Sequence, residues 1–301
     1  MWATSECALS QIVSSSSSVT MRLAMKQSTR QGFRPRRAYT PARKRELAYS
    51  ATPAGWRELC HRPQIAWSVK PLITQDVAHS LIAAARPSMS LQPPAPQYAD
   101  VSIDYRSLPL AACGATLIDQ LTASGLPDMA AQATGIPAHP EEDIMVARTA
   151  SLTPGKYRAG GLLNLHHDRH KQDTRLVTFM VNLASLDAEH AGGETWFPAA
   201  NSLEGDPLVE ALEDSYRAGV RFLPRNTEIA TECERRMLRT VANAESGVCV
   251  PAKAGTALMF DADACAAAWH APGLVFGPGE KWTVTWFKAV PPLWSSMLQG
   301  M

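Results

Sequence analysis

Nowhere in these 301 residues do about 18 apolar positions run together without a break, the minimum for a helix that crosses a membrane. No compact apolar core of the secretory type stands near the first methionine either. The six cysteines (Cys7, Cys60, Cys113, Cys233, Cys249 and Cys265) include no CxxC pair. That excludes a zinc framework and a dense disulfide scaffold, and leaves one or two disulfides open. A dominant charge is missing as well. Charged residues make up 19% and the net charge is +1, so nothing global points to nucleic acid. There is no internal repeat.

What is present is 46% hydrophobic content, enough for one sizeable core or at most two small ones. The near-neutral balance hides an asymmetry. Residues 1–45 hold nine of the 29 Lys and Arg and only one of the 28 acids, Glu6. The remainder therefore has 20 basic and 27 acidic residues, a net of −7. The basic head also contains Ser14–Ser18, and this Ser-rich, Arg-rich, acid-poor composition matches a plastid or mitochondrial transit peptide. An unstructured basic tail, or a start at Met21 or Met25, would read the same way. Residues 1–50 are expected to be disordered, 51–295 to form one folded domain, and 296–301 a short tail.

Within that domain, PLITQDVAHSLIAAARP (71–87) reads as a helix capped by Thr74, with Val77, Leu81 and Ile82 on one face and Pro87 ending it. QPPAPQ (92–97) reads as a rigid loop. A second helical pattern covers roughly 111–134 and stops at the turn Thr134–Pro137. From Tyr157 onward short runs alternate with glycine. RLVTFMVNL (175–183), GGETWFP (192–198), PAKAGTALMFD (251–261) and KWTVTWF (281–287) read as strands or as turns leading into strands. In the last of these, Lys281, Thr283 and Thr285 share one face and Trp282, Val284 and Trp286 the other. Residues 205–246, rich in Glu, Arg, Leu and Ala, read as a helical insertion. The expected plan is helices first, then a β sandwich or barrel with a helical excursion.

LNLHHDRHKQD (163–173) crowds His166, His167, Asp168, His170 and Asp173 together. His166 and His170 have the spacing of a helical zinc site, but His167 stands where that motif needs a glutamate base. His166 and Asp168, two apart, would share one face of a strand. A third ligand must then come from elsewhere, and two histidines with one carboxylate is the donor set of non-haem iron oxygenases. His270, in AAAWHAPG, and Lys281, eleven residues on, supply a candidate ligand and a candidate fixed cation for a dicarboxylate.

At this point the sequence resembles the prolyl 4-hydroxylase type of 2-oxoglutarate- and Fe(II)-dependent dioxygenase. YRAGGLLNLHHD (157–168), RLVTFMVNL, AGGETWFP, PAKAGTALMF and HAPGLVFGPGEKW are similar to that family's successive motifs. PLITQDVAHSLIAAARPSM, the pair Arg106-Ser107 and the ATGIP turn are similar to its helical lead-in. The likeness spans about 62–290. It implies a mainly β fold, a double-stranded β-helix (jelly-roll) with the N-terminal helices packed outside. It also implies Fe(II) held by His166, Asp168 and His270, with Lys281 and Thr195 binding the far carboxylate of 2-oxoglutarate. His167 would point away from the metal, His170 and Asp173 would sit on the rim, and Arg175 and Thr178 would be structural. O2 is the implied second cosubstrate and L-ascorbate the expected reductant for uncoupled cycles. The products are succinate, CO2 and a hydroxylated substrate, here expected to be a peptidyl proline.

The pattern departs from the family in places. Leu163 replaces the usual tyrosine three residues before the first histidine, and only six residues separate Asp168 from Arg175. The segment between His270 and Lys281 is one residue longer than usual. Two other expectations therefore stand beside peptidyl proline: the same chemistry on a free amino acid or other small molecule, and a catalytically silent jelly-roll binding module.

Overall fold

The computed structural model describes residues 52–61, 64–95, 103–139, 142–151, 165–168, 175–185, 193–223, 227–243, 247–262, 268–272, 275 and 279–289. The basic head, Leu163, His170, Asp173 and the 296–301 tail lie outside these residues.

The first elements are strands rather than the expected helices: β1 (Trp56–Cys60) and β2 (Ile65–Ser68) pair antiparallel. Helix α1 (Gln75–Leu91) follows, and the Thr74 hydroxyl accepts from the Val77 N–H to cap it. Pro87 does not end this helix, contrary to the sequence reading; it sits inside, four residues before the helix ends at Leu91. Proline removes the hydrogen bond to the Ala83 carbonyl, and Ala83 and Pro87 are both exposed, so water can replace it.

Strand β3 (Ile103–Pro109) comes next, so Arg106 and Ser107 belong to a strand and not to a helical lead-in. The pattern expected as one helix over 111–134 is a 3-10 turn (Leu110–Cys113), α2 (Ala115–Ala123) and α3 (Leu126–Thr134). Glycines with positive φ, Gly114 and Gly125, break it where no side-chain-bearing residue turns easily. The chain continues through β4 (Asp143–Ser151), β5 (Arg175–Asn182) and β6 (Thr195–Phe197). Helices α4 (Pro207–Arg217) and α5 (Glu228–Asn243) form the expected helical insertion. The last strands are β7 (Val248–Val250), β8 (Ala257–Asp261), β9 (Ala271–Pro272) and β10 (Glu280–Ala289).

Seven strands build an antiparallel sheet in the order β1-β2-β8-β5-β10-β4-β3, and three build a smaller one, β7-β6-β9. The fold is a mainly β jelly-roll core with flanking helices. Strand alternation divides the larger sheet's two faces. Trp282, Val284 and Trp286 of β10, all 0–1% exposed, face a core shared with Leu81 of α1, Leu117 of α2 and Leu126 of α3. Each such buried side chain contributes about 1.5–3 kcal/mol. The other face meets the small sheet, where Phe197 packs edge-on against Phe260 at 5.1 Å. A third cluster joins Leu208, Leu212 and Leu223 of the insertion to Leu165, Trp196 and Trp269.

The turn into β8 depends on Gly255. Its φ is +77°, and a Cβ there would stand 2.3 Å from the Ile73 carbonyl oxygen. The close approach lets Leu72 N–H donate to Gly255 O and Gly255 N–H donate to Asn182 O, both at 2.7 Å. Among the described residues Cys60, Cys113, Cys233 and Cys249 are free thiols, and no helix is long and apolar enough to cross a membrane.

Candidate metal centre

His166 and His270 stand 104 residues apart in sequence yet face each other across an antiparallel bridge. His166 N–H donates to His270 O at 2.9 Å, and His270 N–H returns the bond to His166 O at 2.8 Å. Residues 165–168 are extended but make only isolated bridges, so the HxD pair sits at a strand-like edge rather than in a regular strand. Alternation still holds. His166 and Asp168 face the cleft between the sheets, while His167 is buried on the opposite side. There it packs against the rings of Tyr216 and Trp269, both at 4.9 Å. A carbonyl can only accept, so the His167 Nε2 proton points to Val220 O at 3.0 Å.

Each of His166, Asp168 and His270 offers a ligand atom within 4.8 Å of the other two. Asp168 Oδ1 stands 3.7 Å from Nε2 of both histidines. That is too long for a hydrogen bond and short enough for one ion to touch all three. The surroundings prepare the donors. His270 Nδ1 donates to Ala268 O at 3.0 Å, which leaves Nε2 with its lone pair toward the cleft. The Thr178 hydroxyl donates to Asp168 Oδ2 at 2.6 Å and so orients the carboxylate. Thr178, expected to be structural, thus touches a candidate ligand. The residues fit a divalent ion of the non-haem iron type: two imidazoles, one carboxylate, no thiolate and an open side.

The open side is a cleft between the two sheets. It reaches Lys281 and Thr195, which come together from the two sheets: Lys281 Nζ donates to Thr195 Oγ1 at 3.2 Å. Lys281 is 4% exposed, and no carboxylate ion-pairs with it among the described residues. Burial pulls its pKa down to about 8, only partly offset by the more distant charge of Glu194. Its strand is held firmly one residue earlier. Glu280 accepts from Arg148 at 2.7 Å and 2.9 Å, from Arg86 at 3.0 Å and from Trp282 Nε1 at 2.8 Å. Arg148 also bonds Asp104 at 2.7 Å, tying β10 to β3 through β4.

Tyr105 was not among the sequence candidates. It lies in register with Thr149, itself opposite Lys281, so a polar row crosses three strands. The cleft includes its side chain, whose phenol pKa is raised by burial and by the charge of Asp168. Its signal was the alternation of β3, concealed beside the Arg106-Ser107 motif.

The insertion reaches the same centre. Leu223 N–H donates to Leu165 O at 2.9 Å, and Phe222 bridges His166 on the side away from His270. The Phe222 ring stacks on the His166 imidazole at 5.5 Å and 24°, and it is 47% exposed.

A scan against protein-family models finds no match, and a search of curated proteins finds none. Among solved structures, the chain is similar to a viral collagen prolyl hydroxylase from Paramecium bursaria Chlorella virus-1, in complex with 2-oxoglutarate. The two share 18% identity over 77% of this chain and 99% of that one, with a TM-score of 0.41. A Pseudomonas putida prolyl-4-hydroxylase gives 15%, 79%, 94% and 0.41 for the same measures. HygX from Streptomyces hygroscopicus, with nickel and 2-oxoglutarate bound, gives 13%, 74%, 81% and 0.42. Likenesses this distant carry no functional argument, which leaves the chemistry to the site itself.

Proposed function

We propose that this chain is an Fe(II)- and 2-oxoglutarate-dependent dioxygenase. The observation that carries the reading is a two-histidine, one-carboxylate set sharing a cleft with a buried ammonium that has no anionic partner among the described residues. A buried cation of that kind is costly unless an anion arrives to match it. In this reading His166, Asp168 and His270 hold the iron, and Thr178 keeps the carboxylate oriented. Lys281 and Thr195 bind the far carboxylate of 2-oxoglutarate, which aims its keto acid end at the metal. Phe260 and Met180 line the cleft and exclude water around the reacting groups. Bound iron supplies the activation of O2. The balance is that 2-oxoglutarate, O2 and a substrate C–H give succinate, CO2 and a substrate C–OH. The run of motifs over 157–287 supports a peptidyl proline as the substrate, with L-ascorbate sustaining turnover. The short segment between Asp168 and Arg175 and the exposed Phe222 lip support the small-molecule alternative.

The test is succinate formation by purified protein with Fe(II), ascorbate and 2-oxoglutarate, with and without proline-rich peptides. Peptide-stimulated succinate is the expected result. No succinate under any condition, together with no bound metal, would refute the enzyme reading.

A further inference from the structure

Lys281 is one long donor lining the cleft, and Tyr105 is a second that the proposed reaction leaves unassigned. Tyr105 stands on β3, the outermost strand of the seven-stranded sheet; it is half-buried and open to the cleft it shares with Asp168, His270 and Lys281. Register fixes its place. Tyr105 pairs with Thr149 of β4, and Thr149 pairs with Lys281 of β10, so phenol and ammonium start from one row, two strands apart. Neighbouring strands lie about 4.8 Å apart, which sets the two backbones about 10 Å from each other. Both side chains can therefore meet one small molecule lying between them.

Strand β3 is anchored well enough to aim a donor. Its outer face carries Asp104 and Arg106. The Arg106 guanidinium donates to Asp104 Oδ1 and Oδ2 at 2.7 Å and 3.0 Å, and to the carbonyls of Ser90 and Gln92 at 3.1 Å and 2.9 Å. Alternation then turns Tyr105 and Ser107 to the other face. The Tyr105 carbonyl accepts from Ala95 N–H at 2.8 Å, which holds the strand at that residue. On the inner face the Ser107 side chain bonds the Tyr105 phenol in the sense that favours its charged form, which makes the serine hydroxyl the donor. A phenol oxygen that accepts one bond still has its own proton to give. Burial, and then the charge of Asp168, raise the phenol pKa, so that proton stays in place at neutral pH.

Bound 2-oxoglutarate has acceptors left for such a donor. An ionised carboxylate offers about four lone-pair sites, and Lys281 with Thr195 meets only some of them. A buried charge is repaid by its partner only when its remaining lone pairs are bonded too. The other hydroxyls of the cleft belong to short threonines, and two are already engaged: Thr178 with Asp168 and Thr195 with Lys281.

Resting on the dioxygenase reading, we infer that Tyr105 donates a hydrogen bond to bound 2-oxoglutarate, with Ser107 holding the phenol in position. The cosubstrate, rather than the molecule to be oxidised, is its partner. The phenol shares a row with Lys281 and feels the charge of Asp168, and these two groups mark the two ends of the cosubstrate's place.

The experiment titrates 2-oxoglutarate and, separately, N-oxalylglycine into Co(II)-loaded protein by calorimetry, with no primary substrate present. Tyr105→Phe keeps the ring and removes only the hydroxyl. Its Kd for both ligands should rise about tenfold or more, the loss expected of one bond to a charged acceptor, while its Co(II) affinity stays within about twofold. Ser107→Ala breaks the same phenol–serine bond but leaves the phenol proton available, so its Kd should rise about threefold at most. Equal weakening in the two variants overturns the inference, because the hydroxyl would then act only through its bond to serine. Unchanged 2-oxoglutarate binding by Tyr105→Phe overturns it as well, even where the response to an added primary substrate changes. So does a weakening that only follows loss of Co(II). Failure of the dioxygenase reading looks different: the wild-type protein itself takes up no Co(II), or binds neither ligand once loaded, and the inference falls with it.

Discussion

Replacing Lys281 by methionine should make the protein more stable while ending dicarboxylate binding. The ammonium is buried between the sheets with one neutral partner, Thr195, and its pKa falls from 10.5 to about 8. That difference corresponds to about 3 kcal/mol, the cost of keeping the side chain protonated in the folded state. The sign follows from linkage. Unfolded lysine binds its proton more tightly, so the cost is present in full below pH 8. It shrinks by about 1.4 kcal/mol per pH unit above that and vanishes near 10.5. Methionine keeps much of the volume and removes the charge, and it forfeits the hydrogen bond to Thr195, worth about 1 kcal/mol. Urea unfolding of the metal-free proteins should thus give Lys281→Met an advantage of about 2 kcal/mol at pH 7, declining by pH 9. With 2-oxoglutarate and Co(II) added, the wild type should gain stability and the variant should gain little. Wild-type affinity for 2-oxoglutarate should itself weaken as pH rises through 8, because the bound form needs the ammonium. A variant less stable at pH 7 by a pH-independent amount, with unchanged 2-oxoglutarate binding, would refute the reasoning.

His166→Ala should abolish Co(II) binding, whereas His167→Ala should keep the metal and lose about 1–3 kcal/mol from a broken buried contact; comparable metal loss in both would show the wrong histidine was chosen. Thr178→Val removes the donor to Asp168 at nearly constant volume, and metal affinity measured by competition with a chelator should drop about 10–100-fold. Gly255→Ala should cost at least about 2 kcal/mol in urea unfolding, since it combines a positive φ with a clash against Ile73 O. Asp206, whose pKa the Arg236 guanidinium holds at about 2, caps α4 through Leu208 N–H and clamps α5 through bonds of 2.5 Å and 2.6 Å. Asp206→Asn should lose about 2 kcal/mol near neutral pH, and the gap to wild type should close as pH falls from 3.8 toward 2.

The parts of the site legible in sequence are those fixed by short-range periodicity. Two-residue spacing put His166 and Asp168 on one face, and alternation put Lys281, Thr283 and Thr285 opposite the core tryptophans. Both patterns need only neighbouring residues to be read. Thr178 escaped because its role depends on a carboxylate ten residues away, a proximity that spacing does not encode. Tyr105 escaped because β3 was read through a motif rather than through its own alternation. Pro87 misled for a different reason: proline forbids one hydrogen bond, and an exposed helix face lets solvent supply the replacement. Phe222 was out of reach altogether, since an insertion read as helical gives no hint that its connector runs beside the edge that holds His166.

The mutual hydrogen bonds between His166 and His270 bear on how such a protein can change over evolutionary time. The two imidazoles are registered by their own backbones, so the insertion between β6 and β7 does not have to guide them together. Closing a flexible loop costs only about 0.6 kcal/mol more for each doubling of its length. The helical insertion between β6 and β7 can therefore lengthen, shorten or exchange helices while the bridge between the two histidines stays put. Lineages carrying this edge would be expected to differ most in what grows out of it, keeping one bridged pair of histidines and trading the lips around it.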